Sequence, residues 1–336
     1  MCEALPTTRP QWLQALRDLP ATPNKIPAFF FAHGSPMLAW PTAIAPRAGA
    51  FASVHKQMGP EGPLAQFLHD FGPALIEKYN PRAIVVFSAH WESPRNQILG
   101  KNASYCRLRF TSNSYTSVTD YGEQNPLLFD YYGFPEELYD LKFESKGDSS
   151  VTGEVLAALQ KAGIPSRATP VTEARGADGR GFDGPGLDHG VFVPFGIMFG
   201  EKLQIPLVQV SIDGTLDPAR EWALGKAIAS LRSQQILVLS GGLTYHNLRS
   251  MTAFVEGAAN SAQKEFHQAI LTALQIEDLE KRQKAMYDLT RHPGFRPSHP
   301  REDHFVPLYV AAGAGEEGDV KILSATYGTI TAAFGV

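Results

Sequence analysis

Four short apolar runs stop abruptly at small or polar residues. Residues 26–32 (IPAFFFA) end at His33-Gly34-Ser35-Pro36, and residues 83–87 (AIVVF) at Ser88-Ala89-His90-Trp91. Residues 206–212 end at Asp213-Gly214, and residues 235–239 at Ser240-Gly241-Gly242. Each run is too short for a globular helix and rich in β-branched or aromatic residues, and only 206–212, with Gln209 and Ser211, has polar residues in its interior. Such runs read as strands buried on both faces. Helical patterns fall between them. Residues 64–79 place Phe67, Phe71, Leu75 and Ile76 on one face and stop at Asn80-Pro81, and residues 217–232 read as a second helix. This alternation predicts an α/β fold: a single domain with a central mixed, mainly parallel sheet covered by helices on both faces.

The flanks are consistent with that plan. Trp12, Leu13, Leu16 and Leu19 predict a short amphipathic helix over residues 10–19, within an N-terminal extension (1–25) preceding a catalytic domain (26–336). Residues 251–289 read as one long or two shorter helices, with Phe254, Ala258 and Ala262 on one face, and residues 320–334 as strand completing the sheet. The polar stretch 93–123 reads as loop or an added hairpin. No repeat, low-complexity tract or linker interrupts the chain.

Composition narrows the function. The chain has 336 residues, 43% of them apolar, enough to bury a core without disulfide staples. Acidic residues (34) outnumber basic ones (30), so no basic stripe is available to balance nucleic-acid phosphates. No apolar stretch reaches the ~18 residues of a membrane span, and residues 1–10 lack the apolar run of a signal peptide. Cys2 and Cys106 form neither a disulfide framework nor a metal-binding pair, which points to a reduced, cytoplasmic setting. Asn102-Ala103-Ser104 then reads as a chance glycosylation sequon.

Ten histidines carry the chemistry. His33 follows the first strand, His90 ends the second, and His246 follows the strand 235–239. In open α/β sheets ligands bind beyond the carboxyl ends of strands. Three imidazoles at three such ends can therefore meet, although 57 and 156 residues separate them along the chain. Neutral imidazoles suit Zn, Fe, Cu or Ni, and three of them with open positions describe a catalytic site. Taken singly, a strand-end histidine is more often an ordinary hydrogen-bonded core or surface residue. His189 lies in Gly186-Leu187-Asp188-His189-Gly190, at the end of a glycine-rich loop. That setting suits acid–base work or a turn cap, with Asp188 either orienting the ring or solvated. His304 either lines the pocket, bonds a metal ligand, or caps a following helix. His55, His69, His267, His292 and His299 have no convergent context and are expected at the surface. Gly179-x-Gly181-x-x-Gly184 matches the dinucleotide fingerprint only formally, because Pro185-Gly186 follows where a helix should open. Pro36 likewise rules out a nucleophile elbow at Ser35.

An ordered set of motifs goes further: Phe31-Ala32-His33-Gly34-Ser35-Pro36, Ser88-Ala89-His90-Trp91-Glu92, Tyr131-Tyr132-Gly133-Phe134-Pro135, Leu187-Asp188-His189-Gly190, Ser240-Gly241-Gly242 with His246-Asn247-Leu248, and Asp303-His304-Phe305-Val306-Pro307-Leu308. With these, the chain resembles the class III extradiol ring-cleavage dioxygenases, in the DOPA 4,5-dioxygenase-like branch. The resemblance implies that His33, His90 and His246 hold one divalent metal, with His189 as the acid–base group. It implies Fe(II) for dioxygenase turnover, with zinc also able to occupy the site, and a catechol and O₂ as substrates. Protocatechuate-type relatives use two His and one Glu, whereas residues 240–249 here contain no Glu. A three-His site also fits a zinc hydrolase or a binding protein without turnover. Residues 95–122 and 173–185 match no motif and are expected to shape the substrate pocket.

Overall fold

The computed structural model describes residues 5–21, 25–93, 115–175, 182 and 184–336. Much of the two unmatched segments, Cys2, Cys106 and the sequon therefore lie outside the described residues. In chain order the elements are α1 (Arg9–Arg17), β1 (Ala28–Ala32), α2 (Gly49–Met58), α3 (Pro63–Tyr79), β2 (Ala83–Glu92), β3 (Thr116–Asp120), α4 (Ser149–Lys161), β4 (Ser166–Pro170), α5 (His189–Phe199), β5 (Leu207–Ile212), α6 (Pro218–Ile228), β6 (Ile236–Gly242), α7 (Ser261–Leu274), α8 (Leu279–Asp288), α9 (Phe295–Ser298), α10 (Pro307–Ala314), β7 (Val320–Ser324) and β8 (Thr331–Phe334). Several helices begin where an Asp or Asn side chain accepts bonds from otherwise unpaired backbone N–H groups, as at Asp148, Asp188, Asp217 and Asn260.

The strands form one sheet in the order β4-β3-β5-β2-β6-β1-β8-β7. The central strands β5, β2, β6 and β1 run parallel. Antiparallel pairing enters where β3 meets β5 and through β8 and β7 on the other flank. Successive side chains of a strand leave on opposite faces, so each apolar run builds two cores at once. Phe29, Phe31, Ile84 and Val86 pack toward α1, α3 and α5. Ala28, Phe30, Val85 and Phe87 pack toward α6, α7 and α10. The strands read from the sequence are all present, in a single α/β domain with a mixed, mostly parallel sheet.

Two details differ from the sequence reading, and a third, at the N-terminal helix, adds to it. The stretch 251–289 opens with 3₁₀ turns (Leu248–Phe254, Glu256–Ala258) before α7 and α8, with Ser250 in a non-helical conformation. The Tyr245 hydroxyl donates to the Ser250 carbonyl (3.1 Å), and Phe254 is buried against the Tyr245 ring. β2 runs on to Glu92, so His90 lies within the strand. The N-terminal helix is tied to the body of the fold: Trp12 is buried beside Phe67, and Arg9 pairs with Asp70 at 2.9 Å.

Candidate metal centre

Because β2, β6 and β1 are adjacent and parallel, their carboxyl ends open on one edge of the sheet. His33 leaves β1 with its N–H donating to the Gly242 carbonyl at 3.0 Å. In β2 the pairing with β5 advances from Ser88↔Ser211 to Glu92↔Ile212, four residues against one, a bulge that carries His90. Beyond β6, the His246 N–H donates to the Ser298 carbonyl (2.9 Å) and the Leu243 N–H to the His304 carbonyl (2.8 Å). Gly242 permits this fold-back, because a Cβ there would lie 2.4 Å from the His304 carbonyl oxygen.

The result is a knot of imidazoles. Ring centroids lie 5.1 Å apart for His33–His90, 5.2 Å for His33–His304 and 4.7 Å for His90–His304. One nitrogen from each of these three rings lies within 4.8 Å of the other two. His246 stacks on His304 at 3.4 Å, and the pair forms a second such group with Asp303. His189 sits 4.0 Å from His90, and those two form a third group with Asp130. The three strand-end histidines thus reach one region, but the group made of three histidines contains His304, with His246 layered beside it.

The electrostatics favour a bound cation. Burial, reinforced by the neighbouring His304, drives the pKa values of His33 and His246 well below the usual imidazole range. Both rings are therefore neutral and keep a lone pair. Neither ring nitrogen of His33 makes a hydrogen bond although both are buried, an unfavourable state for polar atoms unless a ligand takes the lone pair. His304 Nε2 faces His90 Nε2 at 3.3 Å, and His304 Nδ1 meets Asp303 Oδ2 at 3.0 Å. Burial opposes ionisation of Asp303, but its bond to His304 and the nearby Arg301 guanidinium outweigh it and hold the carboxyl well below its usual range.

His189 is the first residue of α5, and its partner is Asp130. Asp130 Oδ1 accepts from the His189 backbone N–H (2.8 Å) and meets its Nδ1 at 2.7 Å, while Oδ2 lies 3.5 Å from His90 Nδ1. A carboxylate on Nδ1 fixes the proton there and leaves Nε2 as the acceptor. Asp188, considered from the sequence as an orienting group, is engaged elsewhere. Its carboxylate accepts from Ser88 Oγ (2.7 Å), the Gly190 N–H (3.0 Å), Arg175 Nη1 (2.8 Å) and Gln209 Nε2 (2.5 Å). Arg175 also donates to the His90 carbonyl at 3.0 Å, so this buried network braces the site from behind.

The sequence reading does not single out Asp130, and it includes Asp303 only as part of a motif, with no role of its own. Each directly adjoins a motif residue already singled out, Tyr131 or His304, and an acid beside such a residue is the signal that would have assigned them. The surface expectation holds for His69 and fails for four histidines, of which His292 is half-buried. His299 is fully buried among Phe266, Phe295 and Phe305, His55 is buried with Nε2 2.8 Å from the Trp40 carbonyl, and His267 is half-buried. Helix and loop position alone does not reveal which face packs inward.

A cavity of roughly 450 Å³ opens over His90, His189, His246 and His304, with Asp130, Trp40, Phe134 and Met251 among its walls. Among the described residues no helix is long and apolar enough to cross a membrane.

Comparison with known proteins agrees with this architecture. The family described as the catalytic LigB subunit of aromatic ring-opening dioxygenase matches residues 27–335. A 4,5-DOPA dioxygenase extradiol-like protein of Schizosaccharomyces pombe is 40% identical over 325 residues, 97% of each chain. A 4,5-DOPA dioxygenase extradiol of Beta vulgaris is 28% identical, covering 88% of this chain and 89% of its own. The crystal structure of the uncharacterized Escherichia coli protein JW3007 shares the fold, with a TM-score of 0.60 at 21% identity over 92% of this chain and all of that one. The match along nearly the whole chain, on a sheet that gathers histidines at one edge, places the protein in the LigB family of class III extradiol, aromatic ring-opening dioxygenases.

Proposed function

We propose that the protein opens the ring of a catechol with O₂, giving a muconic-semialdehyde-type product, and that one divalent metal is held by His33, His90 and His246. The observation that carries this reading is the convergence of imidazoles, His33 and His90 buried and His246 half-buried, at the ends of three adjacent parallel strands, beneath a cavity. His246 follows β6, which lies between the strands that carry His90 and His33. His304, stacked on it, aligns the ring and is itself held by Asp303. A metal bound there supplies Lewis acidity toward the two catechol oxygens and, as Fe(II), the electron exchange with O₂ that zinc lacks.

The protein's own groups supply the proton handling. His189 Nε2 takes a proton from a catechol hydroxyl while Asp130 stabilises the imidazolium through Nδ1, and the same nitrogen returns a proton as the ring opens. The apolar walls orient the ring and limit water. The test is anaerobic loading with Fe(II), then a catechol panel exposed to air. Oxygen uptake with a yellow semialdehyde is the expected result, and its absence for every catechol sinks the proposal. The all-imidazole donor set fits zinc equally well, which keeps a zinc hydrolase or binding protein as the second reading. Turnover that rises with Fe(II) and falls with zinc excludes it.

A further inference from the structure

The cavity is much larger than a bare catechol ring needs: volumes of ~300–1,000 Å³ accommodate drug-sized ligands, and this one holds roughly 450 Å³. The histidines occupy its floor. Trp40, Phe51, Met58, Phe134, Leu248 and Met251 form much of the remaining wall. These residues come from α2, from the 3₁₀ turn Leu248–Phe254, and from the loops around Trp40 and Phe134. The wall continues to the surface, where Phe51 is 47% and Leu248 61% exposed. Exposed apolar side chains continuous with a pocket mark a binding surface more often than an accident of folding.

The charge pattern points the same way. Among the described lining residues the charged side chains other than histidine are two carboxylates, Asp130 and Asp303. Arg301 lies 3.5 Å from Asp303, but its two terminal nitrogens are engaged by the Glu92 carboxylate at 2.5 and 2.6 Å. With a divalent ion offsetting Asp130 and Asp303 at the histidine floor, the discrimination comes from the walls: a carboxylate carried on an extended substituent would lose its hydration against them and meet no positive side chain among the described lining residues.

Building on the dioxygenase reading above, we propose that the site selects catechols bearing an uncharged, extended apolar substituent, and disfavours those bearing a carboxylate. The diol sits at the histidines, and the substituent runs along Trp40 and Met251 toward the mouth between Phe51 and Leu248. Flexible Met58 and Met251 suit a site that fits chains of different lengths.

The test is equilibrium binding to the zinc-loaded protein, where a redox-silent ion leaves the catechol intact. Calorimetry would compare 4-methyl-, 4-ethyl-, 4-butyl- and 4-hexylcatechol, then 3-(3,4-dihydroxyphenyl)propionate against its methyl ester. Burial of each methylene should tighten binding about fourfold, and the ester should bind at least tenfold more tightly than the acid. A Met251→Lys substitution should narrow or reverse the acid–ester gap. A flat alkyl series, or an acid bound as tightly as its ester, overturns the inference. Oxygen uptake by the Fe(II)-loaded protein separates the two readings. A steep alkyl series without turnover supports this pocket assignment and sinks the dioxygenase reading. Turnover of catechols with no length dependence does the reverse.

Discussion

His189 and Asp130 act as one unit, and substitutions should show it. His189→Ala leaves the strand-end histidines in place, so metal content measured by mass spectrometry should hold while turnover drops ~10²–10⁴-fold. Loss of metal in that variant would make His189 a ligand, and near-normal turnover would make it a bystander. Asp130→Asn removes the carboxylate that meets both His189 Nδ1 at 2.7 Å and His90 Nδ1 at 3.5 Å. A supporting group of this kind typically contributes ~10–100-fold, so the variant should fall between wild type and His189→Ala. His33→Ala, His90→Ala and His246→Ala should each abolish stoichiometric metal binding, because one of three neutral donors is lost. His304→Ala should retain metal with weakened affinity; full metal loss there with retention in His246→Ala would exchange the roles of the stacked pair.

The elements matter through their ends. β6 terminates in Gly241-Gly242, and the second glycine lets the 304 segment close onto the strand, with the Leu243 N–H donating to the His304 carbonyl. A Cβ at position 242 would sit 2.4 Å from that carbonyl oxygen and 2.8 Å from the Phe30 ring. Both neighbours are fixed, one as backbone and one as a fully buried side chain. Gly242→Ala should therefore destabilise the fold by ~1–3 kcal/mol in urea unfolding, and should weaken metal binding more than a mutation of equal cost far from the site. Unchanged metal affinity at lowered stability would show that the 304 segment does not depend on this contact. The N-terminus of α5 is similarly braced by the buried Arg175–Asp188 pair at 2.8 Å. Such a pair serves position more than net stability, since desolvation offsets much of its attraction.

The fold as a unit carries buried titratable groups whose effects on stability oppose one another with pH. Burial pushes His267 down to about 4 and His299 to about 3. Below the ordinary imidazole value near 6.5 the unfolded chain takes up protons that these folded rings refuse. Their contribution is therefore fully present above pH ~6.5 and declines as pH falls toward the folded values, each group losing up to ~1.4 kcal/mol per pKa unit of its shift. Glu221 on α6 behaves oppositely. Burial, aided by the nearby Asp213 charge, raises its pKa well above the usual carboxyl value. The folded state then holds a proton that the unfolded state releases, so stability declines as pH rises above the ordinary carboxyl range. Glu221→Gln removes that term. The gain in urea midpoint over wild type should be larger at pH 8 than at pH 5, and an equal gain at both would contradict the assignment.

Much of this architecture is written locally in the chain. Apolar runs of strand length ending at Gly, Pro or His specify β1, β2, β5 and β6, because a period of two with both faces apolar has no other low-energy home than a covered sheet. The positions of His33, His90 and His246 at or beyond strand ends follow from the same pattern. That strand-end histidines gather at one edge was also legible, since parallel neighbours expose their carboxyl ends together, but the group that closes on His33 and His90 contains His304, with His246 stacked beside it. Other features depended on contacts between distant segments. Asp130 reaches His189 across 59 residues, and His304 reaches His90 across 214. No local period encodes those meetings. The inward turn of His299 and the engagement of Asp188 by Arg175 and Gln209 rather than His189 belong to the same class. Strand identity is a property of a few consecutive side chains and can be read from them. Which imidazole stacks on which, and which carboxylate turns each ring, depends on how the loops beyond the strands pack together, and only the folded chain brings those groups within a hydrogen bond of one another.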